Sequence, residues 1–430
     1  MSEQNYPLQS LKEGHWFKLI CGASFQNLPA VRSLALAYTL AGVDCIDIAA
    51  DPAVVIAAKE AIHVAMQIGR DFQRESCGKF IERFTNRPQN SSIIQKPLLM
   101  VSLNDGEDPH FRKATFLPLN CPSDCPRPCE QVCPAGAIKS SGVIEDRCYG
   151  CGRCLPICPI QHISAHSYVS TAQAIAPLVL EMGIDAIEIH TQVGRLADFQ
   201  RLWSAIKPWL PQLQLIAISC PDGENLIEYL WALYDVVSPL PCPLIWQTDG
   251  RPMSGDIGNG ATRAAIRLGQ KVLAAGLPGY IQLAGGTNGY TVPKLRSLNL
   301  LASKPSSDRS MPHCKTPHFE IVQTTQPLSP SHISGVAYGS YARALLSPIL
   351  EQLEAIENID KSLSVLASKK GDERLITSLA ESSVSTLRSP QPILLEQAPN
   401  SLQQAVKLAH SLVSQLKPFR STPQFDYELP

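Results

Sequence analysis

The amino-acid sequence predicts an α/β fold, a (β/α)8 barrel of the TIM type, with a cysteine-rich insert after the third strand and a C-terminal helical tail. Eight short apolar segments alternate with helical patterns along the 430 residues. Each segment ends in polar or glycine residues, as strands do at the functional end of such barrels. Without the insert and the tail, the remaining length is close to the ~250 residues that are usual for this fold. An open, doubly wound sheet is the alternative.

The predicted strands are rich in apolar and β-branched residues. Continuous apolar runs of this length are typical of parallel strands that are covered on both faces. The eight segments are residues 18–24, 44–51, 98–105, 185–192, 213–220, 244–250, 280–286 and 333–339.

Helical periodicity separates several of these strands. In residues 30–41, apolar side chains recur every three or four positions, and Pro29 suits the first turn of a helix. Residues 53–68, 171–183, 196–209, 224–234 and 261–275 show the same pattern, and the tail shows it over 353–369, 372–387 and 401–416.

These elements divide the chain into four parts. Residues 1–105 and 166–352 form the two parts of the barrel, residues 106–165 form the insert, and residues 353–430 form a helical, partly disordered tail. Residues 303–332, rich in Ser, Pro, Thr and His, predict a long loop before the last strand.

Composition excludes several classes of protein. The chain is 44% hydrophobic, which allows a sizeable core, and its 37 basic and 38 acidic side chains nearly balance. Nucleic acid is therefore a poor candidate partner. No apolar run reaches the ~18 residues that span a bilayer, so we expect no transmembrane segment, and the N-terminus lacks the pattern of a secretory signal. We expect a cytoplasmic protein whose 14 cysteines form no disulfide framework.

The strongest chemical signal is the run Cys148-Tyr-Gly-Cys151-Gly-Arg-Cys154-Leu-Pro-Ile-Cys158-Pro. This is the bacterial ferredoxin spacing, in which three thiolates hold one [4Fe–4S] cluster and the fourth, followed by proline, ligates the other cluster. A second quartet precedes it, with wider spacing and a similar Cys-Pro ending: Cys121, Cys125, Cys129 and Cys133.

Cross-ligation between these halves gives a definite ligand prediction. Cluster one takes Cys121, Cys125, Cys129 and Cys158, and cluster two takes Cys148, Cys151, Cys154 and Cys133. The wider spacing leaves Cys121 or Cys125 open to doubt, and loss of one thiolate would give a [3Fe–4S] form. Zinc is the competing metal, because four cysteines also suit a tetrahedral site.

The other six cysteines lack metal-ligand spacing. Cys21, Cys45 and Cys220 lie in predicted strands, where a free cysteine behaves as a small hydrophobic residue. Cys77, Cys242 and Cys314 are isolated, and we expect no direct role for any of the six.

The strand ends suggest a second site. Glycines follow strands seven and eight at Gly285, Gly286 and Gly339, and Arg343 lies close behind. The loops after these strands are the usual phosphate site of the fold, so FMN or another phosphate-bearing ligand could bind there. The alternative is that the glycines only form turns. His190 is a candidate acid or base, and the alternative is a histidine hydrogen-bonded in the interior.

The blocks GHWFKLICGAS, DCIDIAAD, IEIHTQVGR, QTDGRPMSGDIG and IQLAGGTN, together with the eight cysteines, resemble the light-dependent period (LdpA) family of cyanobacteria, which also has plant relatives. The resemblance covers roughly residues 10–345. It implies an iron–sulfur protein that reports cellular redox state to circadian clock input through clock input proteins, and it supplies no catalytic residue.

Three functions remain in competition. The first, which we favour, is a non-catalytic redox sensor that exchanges electrons with ferredoxin or a quinone. The second is an oxidoreductase with a flavin or another phosphate-bearing ligand at the barrel mouth. The third is a scaffold in which the clusters only stabilise the insert.

Overall fold

The computed structural model describes residues 6–22, 27–74, 94–106, 112–133, 136–144, 148, 154–167, 177–251, 260–302, 330–353 and 393–417. The strands are β1 (Trp16–Gly22), β2 (Cys45–Ala49), β3 (Leu98–Asn104), β4 (Arg112–Thr115), β5 (Ile138–Lys139), β6 (Gly142–Val143), β7 (Ser164–Ser167), β8 (Ala186–His190), β9 (Leu215–Pro221), β10 (Leu244–Asp249), β11 (Tyr280–Ala284) and β12 (Gly335–Tyr338).

The α-helices with fully described bounds are α1 (Tyr6–Lys12), α2 (Leu28–Ala41), α3 (Pro52–Arg74), α4 (Pro128–Val132), α5 (Cys154–Ile157), α6 (Leu196–Ile206), α7 (Leu226–Val237), α8 (Ala261–Ala274), α9 (Thr291–Ser297) and α10 (Pro399–Val413). Residues 177–180 and 340–353 are also helical. No helix in the described ranges is long and apolar enough to cross a membrane.

Eight parallel strands close into a barrel in the order β1-β12-β11-β10-β9-β8-β3-β2. Closure depends on the first and last strands, whose pairing runs from Trp16 opposite Gly335 to Leu19 opposite Tyr338. A side chain at Gly335 would collide with Trp16, so glycine is needed where this bulky residue enters the barrel. The predicted α/β barrel is confirmed, and the open-sheet alternative is wrong because the sheet has no free edge.

The barrel has two apolar layers. Between strands and helices, a continuous core includes Phe17, stacked on Tyr338. Inside the lower end of the barrel, where the amino ends of the strands lie, Trp16 packs with Leu11 of α1. Helix α1 closes this end. Burial of these side chains stabilises the fold by about 1.5–3 kcal/mol for each large residue.

The predicted tail helix over residues 401–416 is confirmed as α10, which packs on α2. Arg32 of α2 donates two hydrogen bonds to the carboxylate of Glu396, which lies just before α10. The tail helices predicted over 353–369 and 372–387 fall outside the described residues, as does most of the loop predicted over 303–332.

The insert leaves the barrel after β3 and returns before β8. Its two ends are joined by the antiparallel pair β4–β7, from Arg112 opposite Ser167 to Thr115 opposite Ser164. Inside it lie the small hairpin β5–β6 and the two short helices α4 and α5, which contact each other.

Candidate functional site

Cysteines from both halves of the insert share one small core. Cys129 of α4 and Cys154 of α5 are buried together with Ile138 and Ile163. Cys133 and Cys158 pack against this core from the two Cys-Pro segments. Two cysteines of each quartet therefore share this core, and the third cysteine of each quartet lies on one of two helices in contact.

The four thiols assigned to cluster one influence one another. Partial desolvation raises the pKa of the Cys121 thiol. Two neighbouring thiols raise it further: Cys125, which also hydrogen-bonds to Cys121, and Cys158. Burial likewise raises the pKa of Cys129, with Cys158 again contributing. Cys158 thus lies near the first quartet, although the sequence places it at the end of the second.

Backbone N–H groups point at several of the sulfurs. The N–H of Ala137 donates to Sγ of Cys133 at 3.2 Å, and that of Ala114 donates to Sγ of Cys148 at 3.3 Å. Burial raises the pKa of Cys158, but four backbone N–H groups, the first from His162, outweigh it and leave this pKa below its ordinary value. Such donors favour thiolates, the form of cysteine that ligates metals.

The described thiols of the insert lie near one another but are not positioned around a common metal centre. In the described part of the chain, no group of three or more His, Cys, Asp or Glu side chains is arranged to hold a metal ion. Cys151, the remaining predicted ligand, lies outside the described residues. The chemistry of the donor set, seven described thiols with amide donors at three of them, fits an iron–sulfur cluster.

The cysteines of the barrel have the opposite environment. Burial raises the pKa of Cys21, Cys220 and Cys242 to about 12 in each case, and it raises that of Cys45 as well. All four are buried, as expected for cysteines that act as small hydrophobic residues. Cys77 and Cys314 fall outside the described residues.

Sequence reasoning missed a charged cluster inside the barrel. Lys18 of β1 is fully buried, and its Nζ lies against Oε2 of Glu188 and 3.1 Å from Oδ2 of Asp47. The same Nζ donates to Oε1 of Gln247 at 2.9 Å. Barrel interiors are usually filled by branched apolar side chains, so a lysine and two carboxylates at mid-height are unusual.

Amide side chains extend this cluster across the barrel. Nε2 of Gln247 donates to Oε1 of Glu188 at 2.6 Å, and Nε2 of Gln282 donates to Oε1 of Gln247 at 2.5 Å. The indole N–H of Trp16 donates to Oε1 of Gln282 at 2.6 Å. Each amide is held from both sides, so this interior network has one preferred arrangement.

The network reaches solvent at the carboxyl ends of the strands. Nε2 of His190 lies 3.2 Å from Oε1 of Glu188, and the imidazole is about one third exposed. Ser219 bridges Gln247, at 3.2 Å, and the partly exposed Asp249. His190 therefore belongs to this cluster, which the sequence had left open.

A sequence signal for this cluster existed. Each of five strands carries at least one charged or amide residue at an inward position: Lys18, Asp47, Glu188, Gln247 and Gln282. Single polar residues in strands buried on both faces indicate an interior polar layer, because a buried polar group needs partners.

Two of the glycines predicted to bind phosphate lie against the protein's own backbone. Gly285 (φ +59) and Gly286 (φ +91) lie in the left-handed region. A Cβ on Gly285 would fall 2.7 Å from the backbone oxygen of Arg251, and one on Gly286 would fall 3.0 Å from that of Ala261. Both glycines therefore pack on the protein's own backbone, which favours the turn interpretation.

Gly339 and Arg343 stand side by side after β12. Arg343 donates to the backbone oxygens of Ile20, at 3.3 Å, and Cys21, at 3.2 Å, and to Oγ of Ser340 at 3.0 Å. The guanidinium thus ties the last strand to the first. Phosphate binding at these four residues stays a prediction.

The root of the insert is held to the barrel. Asp105, directly after β3, accepts from Oγ1 of Thr191 at 2.5 Å and from Arg195 at 3.4 Å. Tyr229 hydrogen-bonds to the same Thr191 hydroxyl at 2.6 Å. Burial raises the pKa of Asp105.

Comparison with known proteins identifies the family of this chain. A family model described as the light dependent period A C-terminal domain matches residues 178–415, more than half of the chain. The protein "Light dependent period A" of Synechococcus elongatus is 50% identical over 357 residues, which cover 82% of this chain and 88% of that protein. This chain belongs to the LdpA family.

A second LdpA family model, described as the LdpA Fe-S cluster-binding domain, matches residues 121–169. This range contains all eight cysteines of the two quartets. The C-terminal LdpA match continues to residue 415, past the limit near 345 inferred from motifs, so α10 is part of the family's C-terminal domain.

Proposed function

We propose that this LdpA-family protein is an iron–sulfur redox protein whose insert holds two [4Fe–4S] clusters. The observation that carries the proposal is the shared core of the insert, in which Cys158 of the second quartet packs against the core that holds Cys129 of the first. A ferredoxin-type fold brings the last cysteine of one quartet to the cluster of the other in this way.

The ligands divide as the spacing predicts. Cys121, Cys125, Cys129 and Cys158 hold cluster one, and Cys148, Cys151, Cys154 and Cys133 hold cluster two. Bound clusters supply reversible one-electron transfer. The chain's own part is to present thiolates and to direct backbone N–H groups at the sulfurs, as at Cys133, Cys148 and Cys158.

By kinship with LdpA, we infer that the redox state of these clusters is reported to circadian clock input through protein partners in the cytoplasm. Ferredoxin or a quinone exchanges electrons with the clusters. A sensor needs clusters and a surface that partners recognise, and it needs no substrate site.

Anaerobic purification tests the clusters. We expect about eight iron and eight sulfide per chain, as two four-iron clusters require. Zinc in place of iron would contradict the proposal. An absorbance spectrum also tests the alternative oxidoreductase, since a bound flavin would add its own peak to the broad cluster absorption.

Separate replacements test the cross-ligation. Cys133→Ser should damage the cluster held by Cys148 and Cys154, and Cys158→Ser should damage the one held by Cys121 and Cys129. Cys242→Ser, in the barrel, is the control and should leave both signals unchanged in electron paramagnetic resonance of the reduced protein. If Cys133→Ser damages only the cluster of its own quartet, the pairing is wrong.

A further inference from the structure

Two helices on the outside of the barrel carry opposite charges. Helix α7 follows β9 and its charged residues are all acidic, whereas α8 follows β10, the strand paired with β9, and its charged residues are all basic. The spacing of these residues, seven on α7 and four on α8, places each set on one side of its helix. The five side chains are exposed: Glu228 and Asp235 form the acidic face of α7, and Arg263, Arg267 and Lys271 form the basic face of α8.

Most of these charges have no opposite charge beside them. Lys271 pairs with Asp222 at 2.7 Å. Among the described residues, no ion pair involves the other four side chains of the two faces. The charges of α6, by contrast, balance within one helix, where Arg201 donates to Asp198. The acidic face and the basic face therefore present net charge to a molecule outside the barrel.

An exposed tryptophan lies on the acidic face. Trp231 is three residues after Glu228 and four before Asp235, so the three side chains share one side of α7. Trp231 is 39% exposed, and its ring packs edge-on against that of Tyr234, with ring centroids 6.0 Å apart. Tryptophan is enriched among the residues that carry most of the binding energy of protein interfaces. The acidic face thus contains an aromatic anchor that its own helix holds in place.

We propose that this chain forms a homodimer in which the acidic face of each copy packs against the basic face of the other. A two-fold contact requires a surface that is complementary to itself. Two adjacent helices of opposite charge meet that requirement, because one copy supplies both halves of the match. The proposal does not depend on the iron–sulfur clusters, since α7 and α8 lie outside the cysteine insert.

Charge selects one orientation of the two copies. Helices α7 and α8 run in the same direction, because each follows one of two paired parallel strands of the barrel. A two-fold axis that runs between the helices and along them brings α7 of one copy opposite α8 of the other. An axis across the helices would instead bring α7 opposite α7 and α8 opposite α8, and like charges oppose such contact.

The charges and the tryptophan have different roles in this interface. Exposed ion pairs add little net affinity, because water already solvates both partners. They speed association and disfavour the orientation that opposes like charges. Burial of the indole of Trp231 removes apolar surface from water and supplies more of the affinity. We therefore expect a dimer that salt weakens and that depends on Trp231.

Sedimentation velocity of the full-length protein, purified anaerobically, tests the proposal. We expect a population of two-chain particles that grows with protein concentration and shrinks when salt is raised from about 50 mM to about 500 mM. Trp231→Ala should raise the dissociation constant at least about tenfold. Leu178→Ala, which truncates an exposed apolar side chain elsewhere, should leave it unchanged. A wild-type protein that stays a single chain at every concentration overturns the proposal.

Charge reversal distinguishes this interface from any other. Glu228→Lys with Asp235→Lys makes both faces basic, and Arg263→Glu with Arg267→Glu makes both faces acidic. Each pair of changes should raise the dissociation constant at least about tenfold, because like charges then meet in the proposed orientation. All four changes in one chain exchange the charges of the two faces, so the dimer should return.

A matched control separates the interface from net charge. Lys12→Glu with Lys407→Glu changes the net charge as much as the arginine pair does, at exposed positions of α1 and α10, and should leave the dissociation constant unchanged. Circular dichroism checks that each variant is folded. A dimer that persists in both reversed pairs forms through another surface and overturns the proposal, as does a folded four-change variant that stays a single chain.

Discussion

Nζ of Lys417 lies 2.5 Å from Oδ1 of Asp44 and contacts Oδ2 as well. Asp44 is buried and directly precedes β2, whereas Lys417 follows α10 at the end of the described chain. Lys417 also donates to Oγ of Ser10 at 2.8 Å and lies over the ring of Tyr6. The C-terminal segment is thereby fixed to the lower end of the barrel and is an integral part of the fold.

Replacement of Lys417 by methionine should therefore destabilise the barrel. The change leaves the carboxylate of Asp44 buried without its cation, which costs about 3 kcal/mol in the free energy of unfolding. Urea denaturation measures the loss. Lys407→Met is the control, because Lys407 is exposed on α10, and its effect should stay within about 0.5 kcal/mol.

The effect of Lys417→Met should depend on pH. Burial raises the pKa of Asp44 even in the presence of Lys417. Without the lysine this pKa rises further, so the native state holds the proton more tightly than the unfolded chain. The stability of the variant then falls as pH rises through the raised pKa of Asp44. The loss of unfolding free energy relative to the wild-type protein is therefore largest near neutral pH and smaller at about pH 4. A loss that is equal at both pH values would contradict the assigned role of Asp44.

The strands could be predicted because their apolar composition reports burial on both faces. Their ends were less certain: the first strand was predicted over 18–24 and is observed as Trp16–Gly22. Trp16 was left out because nothing local shows that Gly335 makes room for it. That relationship is a contact between strands at opposite ends of the chain.

A double-mutant cycle tests the interior ion pair. Lys18→Met should cost about 3–5 kcal/mol in the free energy of unfolding, since it leaves the buried carboxylates of Glu188 and Asp47 without their cation. Glu188→Gln should cost less, because Asp47 still pairs with Lys18. The double variant should cost less than the sum of the two by at least about 1 kcal/mol. Additive losses in urea denaturation would show that the two residues do not interact.

The metal ligands are easier to predict from the sequence than the interior cluster is. The cysteines repeat at short spacings, so a local pattern predicts a shared site. Lys18 and Glu188 are 170 residues apart, and each looks like a single interruption in an apolar strand. Only closure of the barrel brings them together.

The cysteine thiols of the barrel should not react with alkylating reagents in the native protein. The pKa of Cys220, at the end of β9, is raised to about 12 by burial and then by the charges of Asp249 and Asp105. Almost no thiolate is present at about pH 8, so iodoacetamide should fail to modify this residue until urea exposes it. Peptide mass spectrometry gives the modified fraction, with Cys242 as a second buried thiol. Rapid modification of Cys220 in the folded protein would contradict this environment.

The glycines after the last two strands should act as turns. Gly286→Val places a Cβ about 3.0 Å from the backbone of Ala261 at φ +91, and it should destabilise the fold by about 1–3 kcal/mol. Gly339→Ala meets the side chains of Ile20, at 3.6 Å, and Arg343, at 3.8 Å, both ordinary contacts, so it should be nearly neutral. We expect no rise in melting temperature when FMN is added to the wild-type protein, because Gly285 and Gly286 pack against the protein's own backbone. A phosphate-bearing ligand at 100 times its dissociation constant would add about 2.7 kcal/mol. A rise of that size with FMN in the wild-type protein, absent from Gly339→Val, would show that the predicted phosphate site exists.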